Sequence, residues 1–274
     1  NLMESGGRVA YQEKTGWVGR AMKLAKLQGD GLALSLPMPL LLRGIPKNNN
    51  YFPVDGKLPQ KDTLDLLKSV YAESSEDELL EMMDFIKKRK DEQMMSGYGG
   101  YDKRKNNNLA KQAAVYLRKA NGPRVAVFEV NGFDTHAAQG GVDGTHTKCL
   151  VEMDEIINNL KDNLQEAYKD TIILTVTEFG RTVKQNGGNG TEHGYGTAIF
   201  MAGGLIKKSQ VYTDWPGLKK KELYQGRDLN ATIDARSVYA SAMSTVFDLD
   251  FKRIQKDVFW GEKLQNLSDK LFKA

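Results

Sequence analysis

The feature that most constrains this chain is a strand–helix–strand run in its second half. Arg124-Val-Ala-Val-Phe-Glu-Val130 is rich in β-branched residues and nearly continuous in apolar ones, as a strand buried on both faces requires. From about Thr147 to Tyr168, Leu150, Met153, Ile156, Ile157, Leu160 and Leu164 recur at helical spacing, and Thr171-Ile-Ile-Leu-Thr-Val-Thr177 is a second apolar strand. That order closes as a right-handed βαβ unit. A third run, Thr197-Ala-Ile-Phe-Met-Ala202, ends at Gly203-Gly204. Between Gly180 and Gly196 there is little room for a helix, so this run can return as a hairpin partner. Asp234 then caps a helix through Val238, Ala242 and Val246. The expected fold class is α/β, with a largely parallel sheet flanked by helices on both faces.

The first half adds less. Residues 1–60 read as turn-rich, punctuated by Gly6-Gly7, Gly16, Gly29, Gly31 and Pro37, Pro39, Pro46, Pro53 and Pro59. Leu32–Leu36 and Leu40–Leu42 are short strands or buried extended pieces. From Lys61 the period becomes helical, with Leu64, Leu67 and Val70 on one face. Ser75 and Glu78 form a capping box opening a second helix to about Met95. Gly97, Gly99 and Gly100 break the chain before a third helix over Asn106–Ala120. The block 61–120 is thus a helical layer or insertion within one domain spanning 1–274, a length sufficient for a full core.

Composition excludes several classes. The 39 basic and 35 acidic residues leave a charge of +4 that is spread along the chain, and Lys87–Lys90 reads as a solvated helix face, so nucleic acid is not an expected partner. Pro37 and Pro39 break the most apolar run, Leu32–Leu42, and no membrane span is expected. The single Cys149 rules out an internal disulfide framework. The chain starts at Asn1 without a secretory signal; either a leader and more have been removed, or it is the later part of a longer protein.

Ligands of open α/β sheets bind beyond the carboxyl ends of the strands. After the first strand comes Asn131-Gly-Phe-Asp134-Thr135-His136. After the second come Glu178-Phe179-Gly-Arg181-Thr182 and then Thr191-Glu-His193-Gly. Two of the three histidines therefore fall at strand ends beside carboxylates. Asp134 and His136, two apart in extended chain, point to one side. Asp134, His136, Glu178 and His193 suit zinc, manganese or iron(II), and such an ion would lower the pKa of a bound water or polarise an ester oxygen. Arg181 would offer a fixed cation to a phosphate or sulfate oxyanion. A plainer reading stays open, in which Asp134 caps a turn, Glu178 pairs with Arg181 and both histidines are solvated. His146 and Cys149 read as a solvated histidine and a buried structural thiol. Trp17, Trp215 and Trp260 read as packing residues, and the glycines of 186–190 lack the ending of a phosphate loop.

Together, Gly-Phe-Asp134-Thr-His136, Thr-Glu178-Phe-Gly-Arg181-Thr, Glu-His193-Gly and Gly203-Gly204, with the early Thr15-Gly-Trp17-Val-Gly-Arg20, resemble the domain-of-unknown-function family numbered 1501 over nearly the whole chain. That family is similar to the alkaline-phosphatase and sulfatase superfamily. The resemblance implies an alkaline-phosphatase-like sheet and a metal-dependent hydrolase of phosphate or sulfate esters, small-molecule or polymeric. It implies one or two divalent ions, zinc or manganese, at Asp134, His136, Glu178 and His193, with Arg181 as the oxyanion contact. It also implies a bacterial, periplasmic or extracellular location. Two departures matter. Phe179 stands where the superfamily pattern has a histidine after the carboxylate. The upstream Gly-Gly-Asn-Asp-Gly strand and the Ser-His-Phe segment with the hydroxyl nucleophile are not in residues 1–274, so a missing N-terminal segment or companion chain is expected to supply them, Thr135 being a weak substitute. A non-catalytic exported scaffold with a degenerate metal site is the alternative.

Overall fold

The structure, a computed structural model, describes residues 1–27, 29–45, 48–51, 61–71, 80, 83–84 and 106–273. Its architecture is mixed α/β around a small parallel sheet of three strands, β1 (Gly31–Leu34), β2 (Asn49–Tyr51) and β3 (Val125–Val127), in the order β2-β1-β3. The alternation of β1 divides the core in two. Leu32 and Leu34 face Leu109, Ala110 and Ala113 of the helix Asn106–Leu117, and Ile156, Leu160 and Leu164 of the helix Thr145–Leu164. Ala33, pointing the other way, joins Trp17, Met22, Tyr239 and Phe259. The central strand β1 is buried on both faces, while β2 and β3 are only partly covered.

Its extent differs from the sequence reading. The expected strand 124–130 is hydrogen-bonded only over Val125–Val127, and the expected strand 171–177 only over Ile173–Leu174 (β4). β4 does not extend the parallel sheet. It pairs antiparallel with Met201–Ala202 (β7), the last part of the 197–202 run, which does return as a hairpin-like partner. The ladder stops at Thr175, whose hydroxyl accepts the Phe200 N–H at 2.9 Å while its own N–H donates to Phe200 O at 3.0 Å. A side chain there takes a donor that a carbonyl would otherwise take. The long helix covers 145–164 and gives way at Gln165, at φ 53°, to a tight 3-10 turn through Asp170.

The turn-rich reading of residues 1–60 missed a helix, Trp17–Ala25. Gly16 and Gly19 are not turn residues but points of close approach. A Cβ on Gly16 would lie 2.1 Å from Leu40 O, and one on Gly19 2.1 Å from Arg43 O, so the helix lies directly on the buried 3-10 turn Leu40–Leu42. Arg20 ties this corner together, donating to Thr15 O and Ser5 O at 2.6 Å and to Val258 O at 2.9 Å. Trp17 stacks on Tyr239 with ring centroids 4.9 Å apart. Tyr239 lies on the helix Ala235–Val246, which Asp234 caps as expected by accepting the Arg236 N–H at 2.9 Å.

The first expected helix forms over Lys61–Tyr71 with Leu64 buried, but Val70 of the same expected face is exposed. The second, with its Ser75–Glu78 capping box and the Gly97–Gly100 break, lies outside the described residues except for Leu80, Met83 and Asp84, as do Pro46, Pro53 and Pro59. Lys68 pairs with Asp84 at 2.6 Å. Among the described residues no helix is long and apolar enough to cross a membrane.

Candidate metal centre

The site is built on a two-stranded antiparallel ladder, β5 (Gly180–Arg181) with β6 (His193–Gly194), in which Arg181 stands opposite His193. Directly opposed residues share a face, so this register sets the two side chains together. The connecting loop is closed by Thr182, whose N–H donates to Glu192 O at 3.0 Å and whose hydroxyl accepts the Glu192 N–H at 3.1 Å. Within it, Asn186 Oδ1 accepts from the N–H groups of Gly188 and Gly190, both at 2.9 Å. This is the local side-chain-to-backbone bonding for which asparagine is favoured in turns.

The segment after β3 lies along that loop. Ala138 and Gln139 donate to the carbonyls of Gly188 and Asn189 at 2.9 Å, and Thr191 N–H donates to Thr135 O at 3.1 Å. Gln139 Oε1 accepts both the Thr135 hydroxyl at 2.9 Å and the Thr191 hydroxyl at 2.8 Å. Contact is close enough that a Cβ on Gly190 would lie 2.3 Å from His136 O. Two segments more than 40 residues apart are thereby locked in register.

Three side chains converge at this seam. Asp134 Oδ1, His136 Nε2 and His193 Nε2 form a nearly equilateral triangle, with separations of 3.0 Å (Asp134–His136), 3.2 Å (Asp134–His193) and 3.1 Å (His136–His193). Among the described residues this is the one such group that could hold a metal ion. Metal bonds of about 2.0–2.2 Å at angles between about 90° and 110° separate neighbouring ligand atoms by roughly 2.9–3.5 Å, so the triangle has the right size. Three lone-pair atoms this close need protons or a cation between them. All three side chains are about half exposed (51%, 44% and 50%), so solvent reaches the group directly.

A family described as "Protein of unknown function (DUF1501)" matches residues 4–256. The chain belongs to this family. No curated protein and no solved structure matches the chain. The DUF1501 match takes in both segments of the seam and every candidate ligand.

Within this DUF1501 chain, three of the four expected ligands, Asp134, His136 and His193, come together. Glu178 stands apart from them, exposed at the bend before β5. Its neighbour Phe179 does enter the site, stacked on the His193 ring at 3.7 Å and 13°. Arg181 pairs with Asp134 and not with Glu178, and also donates to Thr191 O and, at 2.9 Å, to Thr191 Oγ1. Partial burial pushes the Asp134 carboxyl up, but the Arg181 hydrogen bond and the charges of His136, His193 and Arg181 outweigh it and hold the group below the usual carboxylate range. Thr135 is buried with its hydroxyl committed to Gln139, which ill suits a nucleophile. Cys149 is buried as expected. His146, by contrast, is half-buried, with its ring edge against Phe133 at 5.8 Å.

Two site residues escaped sequence reasoning. Glu192 Oε2 lies 3.0 Å from His136 Nδ1, and Asn186 Nδ2 bridges Glu192 Oε1 and His136 O. Strict strand alternation turns Glu192 away from His193 and hides its link to His136. The available signal was the spacing Asn186-x-Gly188-x-Gly190, an asparagine able to close its own loop. A separate cleft of about 460 Å³, lined by Glu4, Glu13, Lys14, Arg43 and Glu129 among others, contains none of the ligands. The convergent donor set makes the seam the better candidate for chemistry.

Proposed function

We propose that this chain carries the metal centre of a hydrolase of phosphate or sulfate esters, similar to the alkaline-phosphatase and sulfatase superfamily, exported from a bacterial cell and acting on small or polymeric esters. The observation behind this reading is the half-exposed triangle of Asp134 Oδ1, His136 Nε2 and His193 Nε2. Two imidazoles and one carboxylate suit zinc or manganese, and three protein ligands leave coordination positions for a substrate. Bound there, such an ion would polarise an ester oxygen. Arg181 keeps Asp134 aimed at the site and directs positive charge towards a substrate oxyanion. Phe179 fixes the plane of the His193 ring.

A second reading is a binding or scaffold protein with a degenerate centre. It is favoured by Phe179, which fills a face of His193, and by the engagement of Arg181 with Asp134 and Thr191. Elemental analysis of the purified protein, before and after reconstitution, separates the two. About one zinc or manganese per chain, lost in His136→Ala and His193→Ala, together with turnover of an aryl phosphate or sulfate, supports the hydrolase. Metal without turnover supports the second reading, and no metal even after reconstitution overturns the site assignment.

A further inference from the structure

His136 can bind a metal through Nε2 only if that nitrogen carries its lone pair. A neutral imidazole has one N–H, and its place is set by what the other nitrogen meets. Here Nδ1 meets a carboxylate oxygen, Glu192 Oε2, at 3.0 Å. Nε2 meets a second carboxylate oxygen, Asp134 Oδ1, at the same 3.0 Å, so each nitrogen has an acceptor; a cation held at Nε2 would exclude the proton there, and the proton left on Nδ1 is the one Glu192 accepts. Glu192 is itself 54% exposed, and an exposed pair of this kind contributes little to stability. Its orientation comes from Asn186, whose single amide nitrogen donates to Glu192 Oε1 and, at 2.8 Å, to His136 O. The amide oxygen of the same residue is occupied by Gly188 and Gly190, which leaves the NH₂ group no alternative orientation. One asparagine thus holds both the backbone of the ligand and the carboxylate behind it.

We infer that Glu192 is a positioning residue of the metal centre, fixing His136 in the Nδ1–H tautomer with Nε2 aimed at the metal, and that Asn186 holds Glu192 in place. The inference rests on the metal-centre reading above and deepens it. A carboxylate behind a ligating histidine fixes ring orientation and raises basicity, and its loss costs about 10–100-fold in metal affinity.

Two measurements on the full chain test this. In zinc-loaded protein, NMR of the histidine side chains should show a slowly exchanging Nδ1–H proton on His136, hydrogen-bonded to Glu192, and that proton should exchange rapidly in Glu192→Ala. Zinc affinity, measured by chelator competition, should fall about 10–100-fold in Glu192→Ala at unchanged stoichiometry, and by less in Glu192→Gln, which keeps an acceptor oxygen. Asn186→Ala should weaken zinc in the same direction, and His136→Ala serves as the control that removes a ligand outright. A rapidly exchanging His136 Nδ1–H in the zinc-loaded wild type overturns the inference, as does wild-type zinc affinity in Glu192→Ala; in both cases the metal centre itself stands if the wild type binds zinc and His136→Ala does not. A wild type that takes no zinc overturns both.

Discussion

The Trp17–Tyr239–Phe259 core and the Asp134–His193 seam are built by opposite means. In the core, large rings are sealed from water, Tyr239 and Phe259 almost completely, and helices lie against backbone at glycines. Apolar burial is cumulative and undirected, so stability there is summed over many contacts. In the seam the candidate ligands are half exposed, and position is set by hydrogen bonds that Asn186, Gln139 and Thr182 accept from the Gly190 N–H, the Thr191 hydroxyl and the Glu192 N–H. Each such bond contributes about 0.5–1.5 kcal/mol net, but each fixes a direction. The core therefore carries the stability, and the seam carries the geometry.

The sharpest way to break that division is to empty the core. Phe259→Ala or Trp17→Ala should cost about 3–5 kcal/mol in urea unfolding while leaving zinc affinity of the folded fraction unchanged. A matching loss of affinity would show that core and seam are one unit. The converse test adds metal to the intact protein. Free zinc at 100 times its dissociation constant should stabilise the wild type by about 2.7 kcal/mol, read as a higher melting temperature, and should leave His193→Ala unmoved.

Gly190→Ala sits on the boundary between the two regions. Its Cβ would meet the His136 carbonyl at 2.3 Å, so the seam must open. Stability should fall by about 1–3 kcal/mol, and zinc affinity by at least about tenfold. A loss of stability without a loss of affinity would mean that the seam adapts.

The smallest effect is at the edge of the core. Asp234 caps the 235–246 helix; burial pushes its carboxyl up, but the hydrogen bonds and charge of Arg236 outweigh this and hold it below the usual range. A depressed native value means that the contribution is complete above the ordinary carboxylate pKa of about 4 and is lost as pH falls through the lower native value. Asp234→Ala should cost about 1 kcal/mol at neutral pH. The wild-type advantage over Asp234→Asn should shrink on titration below about pH 4, measured by urea unfolding at each pH.

Much of the fold was legible because it rests on local periodicity. The long helix and the Asp234 cap follow from residues within a few positions of one another, and the antiparallel return of 197–202 from the lack of room for a helix between Gly180 and Gly196. The Trp17–Ala25 helix was not legible, because Gly16 read as a breaker, whereas it and Gly19 let the helix lie against the backbone of Leu40–Arg43. The three-strand parallel sheet was equally hidden, since it pairs Leu32 with Asn49 on one side and with Ala126 on the other, positions far apart in the chain.

At the site, the sequence alone determined the set of candidate donors: two histidines, an aspartate and a glutamate after the strands, with an arginine close by. Selection among the candidates came from tertiary structure, which kept Asp134, His136 and His193, left Glu178 exposed, paired Arg181 with Asp134 and recruited Glu192 and Asn186. The physical reason is the precision involved. Spacing along a strand tells which side a residue faces, whereas ligation requires atoms about 3 Å apart from segments more than 40 residues distant. Only the hydrogen-bonded register of the 134–139 segment against the 186–191 loop sets that distance.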